Sequence, residues 1–270
     1  MKKDITFSTA KKIALISVNA ALYAVAIAIT SPIPTPWGVG HFRPGVVIPA
    51  VFTLAFGPVI GGVGAAIGCF IGDFALSLFN LTTPLLSLIA GVPGNFAGFY
   101  VLGWLMSKRR SLAFFVVSSF VALLIGNLIA AVGVLIYFWF IVPTWALWPI
   151  NMKIAVVSGL TLFWLVTMII FTVPLVPLIL RYIEPSLKRM GLGESSNLNW
   201  SNPLDMIKSS ISIALILAAI YCVVEVIPNG KMIFAGALPP EILLIGSVVL
   251  ASSGLLFAYF MKKGVLLRVD

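Results

Sequence analysis

Eight apolar stretches, at roughly residues 13–30, 44–56, 58–79, 85–106, 112–141, 154–180, 211–228 and 242–261, carry few charges and are separated mostly by short polar segments. A helix needs about 20 apolar residues to cross the roughly 30 Å hydrocarbon core of a bilayer. Most of the stretches meet that length, so the chain reads as an all-α integral membrane protein. Over 270 residues, a mean hydropathy of +1.14 and a charged fraction of 9 % leave no room for a separate catalytic domain. The first stretch is longer than an ordinary secretory signal core and many others follow it, so it reads as a helix. The 44–56 stretch is the short one. Its thirteen residues cover only about 20 Å at helical rise, which fits a span or a re-entrant segment.

Basic residues decide between those two. If 44–56 spans and the N-terminus is cytoplasmic, fourteen basic residues lie inside: Lys2, Lys3, Lys11, Lys12, Lys108, Arg109, Arg110, Arg181, Lys188, Arg189, Lys208, Lys262, Lys263 and Arg268. Only Arg43, Lys153 and Lys231 then lie outside. Without that span, the better of the two orientations gives eleven against six. The positive-inside rule therefore favours eight spans in the plasma membrane with both termini cytoplasmic. The net charge of +9 is then an orientation signal rather than a sign of nucleic acid. One long polar stretch, 182–208, is punctuated by Pro185, Gly191, Gly193 and Pro203. It divides the chain into a six-helix membrane domain (1–185), a cytoplasmic linker (186–208) and a C-terminal pair of transmembrane helices (209–270).

Enzyme chemistry finds no footing. The chain has no G-x-S-x-G, H-E-x-x-H or C-x-x-C, and His41 is its only histidine. The one Gly-Lys pair, Gly230-Lys231, lacks the upstream glycine of a phosphate-binding loop, so the chain cannot use ATP alone. Cys69 and Cys222 sit in apolar stretches with no ligand spacing around them, and they read as small lipid-embedded residues. Neither a metal nor a cofactor is expected.

What remains is packing and binding. Gly57, Gly61, Gly64, Gly68 and Gly72 draw one small-residue ridge along the third helix, and internal packing is its simplest role. Ala20, Ala24 and Ala28 form a second seam on the first helix, open to internal packing or to a partner. Counted from Gly57, Asp73 lies about 24 Å along its helix, in the outer third, where an acid needs a partner, water or a ligand. Asn95 and Asn127 fall inside the fourth and fifth helices, and Asn151 with Lys153 opens the sixth. Each asparagine fits either an interhelical hydrogen bond or a ligand contact. Two outer loops carry aromatic residues: Trp37, His41, Phe42 and Arg43 in 31–45, and Trp145 and Trp148 after the fifth helix. Together Trp37, His41, Arg43, Asp73, Asn95, Asn127, Trp145, Trp148, Asn151 and Lys153 outline a pocket for a small planar polar molecule.

Phe42-Arg43-Pro44-Gly45, Ile48-Pro49, Phe56-Gly57-Pro58-x-x-Gly61 and Gly68-x-x-x-Gly72-Asp73, following an Ala-xxx-Ala first helix, resemble the substrate-binding S components of energy-coupling factor (ECF) transporters. The resemblance covers roughly residues 10–185. It implies a six-helix bundle that captures a vitamin or similar micronutrient beneath its first outer loop. It also implies a transmembrane T subunit and two ATPase subunits as partners, with Ala20, Ala24 and Ala28 as the surface that docks on the T subunit. Residues 191–270 have no counterpart in it. A self-sufficient secondary transporter and a non-transporting membrane scaffold remain as alternatives; the first would normally bury more ionisable groups than Asp73 and Glu225.

Overall fold

A computed structural model describes residues 7–31, 33, 41–192, 203–226 and 241–262. Trp37 lies outside the described residues. Eight main helices follow one another: α1 (Thr9–Thr30), α2 (Val47–Phe56), α3 (Pro58–Ser77), α4 (Pro84–Lys108), α5 (Leu112–Ile141), α6 (Ile150–Arg189), α7 (Pro203–Val226) and α8 (Glu241–Lys262). Among the described residues there is no β-strand ladder. Six of the helices are long and apolar enough to cross a membrane, and the apolar parts of the other two, Pro44–Phe56 and Glu241–Leu256, are shorter. The chain is an all-helical, multi-pass membrane protein.

Local chemistry sets the helix ends. The Ser8 and Ser111 hydroxyls accept from the Lys11 and Phe114 N–H groups and start α1 and α5; Thr83 does the same for α4 through Leu86. Gly57 turns α2 back into α3 with φ of +97°, a backbone that side chains disfavour, and Pro58 then fits the first helical position. Near its start, α4 widens into a π-helical turn at Ser87–Gly91. Pro93 follows directly and has no N–H for the Ile89 carbonyl, which explains a loosened helix at this point. Helix α6 has 40 residues, about 60 Å, and so outruns a bilayer core; its last turns carry the Glu184–Lys188 ion pair. Helix covers both ends of the 186–208 stretch, through Arg189 and again from Pro203.

The glycine ridge of α3 is an internal seam. A Cβ at Gly64 would strike Asn19, at Gly68 the Ala20 carbonyl, and at Gly72 Ile27, so α1 lies almost backbone to backbone on α3. The Asn19 amide ties the pair together by donating to the carbonyls of Ile60 (3.1 Å) and Gly61 (3.3 Å). Ala20 and Ala24 are buried in this seam, 3 % and 7 % exposed, whereas Ala28 is exposed. Of the three alanines, α3 covers Ala20 and Ala24, and Ala28 lies on the open face of α1. The stripe that α1 buries is Asn19, Ala20, Tyr23, Ala24 and Ile27, and Ala28 falls just outside it. Ala10, Ala14, Ser17, Ala21 and Ala28 are the alanines and serine that α1 exposes.

At the Gly57 end of the bundle, Phe7 packs edge-on against Phe56, Gly103 meets Pro58, and the Arg110 guanidinium donates to the Leu54 carbonyl at 3.4 Å. The Lys11-Lys12 and Lys108-Arg109-Arg110 groups therefore gather at one end. Burial holds the Arg110 guanidinium below its ordinary pKa. Helix α8 packs on α6 and α7, and α7 on α5, while neither touches α1–α4 among the described residues. The C-terminal pair therefore covers one flank of the bundle and leaves α1 bare.

Candidate ligand pocket

Opposite the basic end, α2 begins where α3 carries Asp73, and these two helix positions build a buried polar cluster. One Asp73 carboxylate oxygen receives Arg43 Nη2 at 2.5 Å, and the other receives Ser87 Oγ at 2.6 Å from the π-helical turn. Arg43 Nη1 also donates to Cys69 Sγ at 3.1 Å. Arg43 is 9 % exposed, Asp73 2 %, Ser87 2 % and Cys69 0 %. A buried carboxylate is tolerated only when paired and hydrogen-bonded, and this one is both. Cys69 is thus a member of the polar cluster rather than a lipid-embedded residue; Cys222 is exposed. Below the cluster, Tyr23 OH donates to Asn95 Oδ1 at 2.8 Å, and Asn95 Nδ2 donates back to the Gly91 carbonyl at 2.9 Å.

A cavity opens between this cluster and helices α4, α5 and α6. Its polar lobe, about 480 Å³, is lined by His41, Arg43, Asp73, Ser87, Asn95, Asn127, Trp164 and Met168, among others. An apolar lobe of about 450 Å³ shares Asn95, Asn127, Ala130 and Met168 with it and continues past Val46, Phe99, Leu123 and Thr172. The floor exists because α4 and α5 cross on Gly94, Gly98 and Gly126; a Cβ would collide with facing backbone at Gly94 and Gly126 and crowd it at Gly98. Most lining polar groups are already bonded within the protein. Among the described residues, Asn127 Nδ2, Ser119 Oγ and His41 Nδ1 have no hydrogen-bond partner, although all three are buried. A buried donor or acceptor without a partner is uncommon and calls for an occupant.

Five of the ten pocket residues expected from the sequence, His41, Arg43, Asp73, Asn95 and Asn127, line this one cavity. Four others are placed elsewhere. Trp145 stacks on Trp148 (centroids 4.1 Å apart) and on Phe138 (4.6 Å), forming an aromatic prop for the end of α5. Lys153, in the first turn of α6, donates to the Ala146 carbonyl at 3.1 Å and lies 3.8 Å over the Trp139 ring at the end of α5, so its charge is held at the connection between the two helices. Asn151 is exposed. Sequence reasoning missed Ser87, Trp164 and Met168. The Gly91-x-Pro93-Gly94 string could have signalled the widened turn that delivers Ser87, and a tryptophan in mid-helix needs a partner for its N–H, here the His41 carbonyl at 3.0 Å.

A bundle of membrane helices closed around one cavity, polar at one end and apolar at the other, with unpaired hydrogen-bonding groups on its wall, is the architecture of a membrane-embedded binding protein for a small molecule. The family described as ECF-type riboflavin transporter, S component, matches residues 7–183, and the chain belongs to that family. No curated relative and no solved structure gives a significant match. The matched segment takes in α1–α5 and nearly all of α6 and leaves out α7 and α8.

Proposed function

We propose that this chain is the substrate-capturing component of an ECF-type importer for riboflavin or a close flavin, working in the plasma membrane with a T subunit and two ATPase subunits. The observation that carries this reading is the two-lobed cavity. A flavin has a flat, largely apolar ring edge and a hydroxylated side chain, and the apolar and polar lobes match those two characters. The family match supports the vitamin class. In this reading, His41, Arg43, Asp73, Asn95 and Asn127 form the binding wall, while Trp145, Trp148, Asn151 and Lys153 shape its surroundings. The T subunit meets the bare outer face of α1, where Ala28 lies beside Val25 and Ile29. The role suits that face because α7 and α8 leave it uncovered.

Asn127→Leu tests the wall. Removing a buried amide whose Nδ2 has no partner leaves melting temperature unchanged or higher if the cavity holds no ligand contact there. With a flavin bound to that donor, riboflavin affinity falls roughly tenfold while the melting temperature holds. Unchanged affinity would remove Asn127 from the site.

The proposed orientation, eight spans with the basic end cytoplasmic, is tested by thiol labelling. Cys69 is fully buried, so only Cys222 needs replacing. In that background Ser107→Cys should label from the cytoplasm only and Thr144→Cys from the outside only. Labelling of both from one side would remove the span between them.

A further inference from the structure

The chain has one histidine, and half of its ring is unused. His41 is 4 % exposed, and its Nε2 lies 2.7 Å from the Leu81 carbonyl. A carbonyl only accepts, so the proton of the neutral ring sits on Nε2 and Nδ1 carries a lone pair. The backbone carbonyl of the same residue takes the Trp164 indole N–H at 3.0 Å, which fixes the ring's position from the other side. Among the described residues Nδ1 makes no hydrogen bond of normal geometry, and His41 lines the polar lobe. Leaving a buried acceptor unpaired is unfavourable, and a ligand donor would remove that penalty.

We propose that His41 Nδ1 is a specificity-determining acceptor: it takes a hydrogen bond from an N–H or O–H of the bound molecule, and the site holds that molecule only while the ring is neutral. This rests on the flavin reading above. A flavin supplies such donors at its side-chain hydroxyls and its ring imide. Analogues with those groups methylated or deleted lose the bond.

Proton uptake at Nδ1 turns the acceptor into a donor, so acid opposes binding. Burial, with Arg43 adding to it, holds His41 below its ordinary value of 6.5, outweighing the opposite pull of the Leu81 and Ser31 backbone groups and of Asp73. The charged groups facing it are Arg43, from its own segment, and Asp73 of α3, which are paired with each other. Cys69 of α3 and Tyr23 of α1 complete the titratable side chains of the cluster. The walls from α4, α5 and α6 present Ser87, Asn127, Trp164 and Met168, none of which titrates in acid. A ligand on Nδ1 favours the neutral ring and lowers its pKa further. Affinity is therefore flat through neutral pH and declines only once the pH falls through the depressed pKa of the ligand-free ring, below its ordinary 6.5.

The test titrates the purified chain with riboflavin between about pH 8 and pH 5, for wild type, His41→Gln and His41→Asn, with the melting temperature of each. Gln places its amide nitrogen where Nε2 was, keeping the Leu81 bond but offering no acceptor at the Nδ1 position. Asn does the reverse. The expected result is an acid-sensitive wild type, a Gln variant weakened roughly tenfold at neutral pH, and an Asn variant near wild-type affinity with no acid dependence. Full affinity in the Gln variant, with loss in the Asn variant, would make the ring a structural anchor and overturn the proposal. An acid loss shared by wild type and Asn would overturn it too, by assigning the titration elsewhere. A wild type that binds no riboflavin brings down the flavin reading and this inference with it, whereas a wild type that binds alongside unaltered variants brings down this inference alone.

Discussion

Arg43→Ala is expected to destabilise the protein by about 3–5 kcal/mol, because it strands the Asp73 carboxylate in a site only 2 % exposed with Ser87 and the Cys69 thiol as its remaining partners. Asp73→Ala strands the guanidinium and belongs in the same range. Removing both charges together is a different experiment. A double Arg43→Met/Asp73→Leu variant fills the space with apolar atoms and leaves no orphaned charge, so it should recover most of the stability while binding ligand poorly. Thermal unfolding of the three variants in detergent checks this. A double variant less stable than either single one would show that the pair contributes stability beyond mutual compensation.

The second large effect belongs to the seam between α1 and α3. A Cβ at Gly68 would sit 2.7 Å from the Ala20 carbonyl oxygen and 3.1 Å from its Cα, and neither backbone atom can give way without moving α1. Gly68→Val should therefore cost about 3 kcal/mol, the upper end of ordinary overpacking, and weaken ligand binding by displacing Tyr23 from Asn95. Ala28→Leu, on the exposed side of the same helix, should leave the melting temperature alone and lower only co-purification with the T and ATPase subunits. Equal melting temperatures for Gly68→Val and wild type would contradict the seam.

Helix content and the apolar stretches were legible because hydropathy alone marks segments that a bilayer can hold. The role of the α3 glycines was legible too: their repeat keeps close enough to one face that several of them meet α1. For the alanines, spacing reports that α1 has a small-residue series but not which neighbour it faces, and α3 takes Ala20 and Ala24. In the pocket, residues on helices that converge in depth were found: Asp73, Asn95 and Asn127. Of the loop residues, His41 and Arg43 line the cavity and those after α5 do not. Trp145, Trp148 and Lys153 share an end of the bundle with the cavity, yet the connection between α5 and α6 folds onto itself through stacking and one backbone hydrogen bond. The Arg43–Asp73 pair could not be read from a separation of 30 residues, although the need of Asp73 for a partner could. Helix α2 is short because it starts at the level of that pair and is sheltered on most sides, with seven of its ten residues buried.

The most direct measurement is an equilibrium titration of the purified chain, in detergent and without any ATPase subunit, using riboflavin and two unrelated vitamins, thiamine and biotin. The account predicts saturable binding of one riboflavin per chain and no competition from the other two. No riboflavin binding by folded protein, or equal occupancy by the unrelated vitamins, would contradict it.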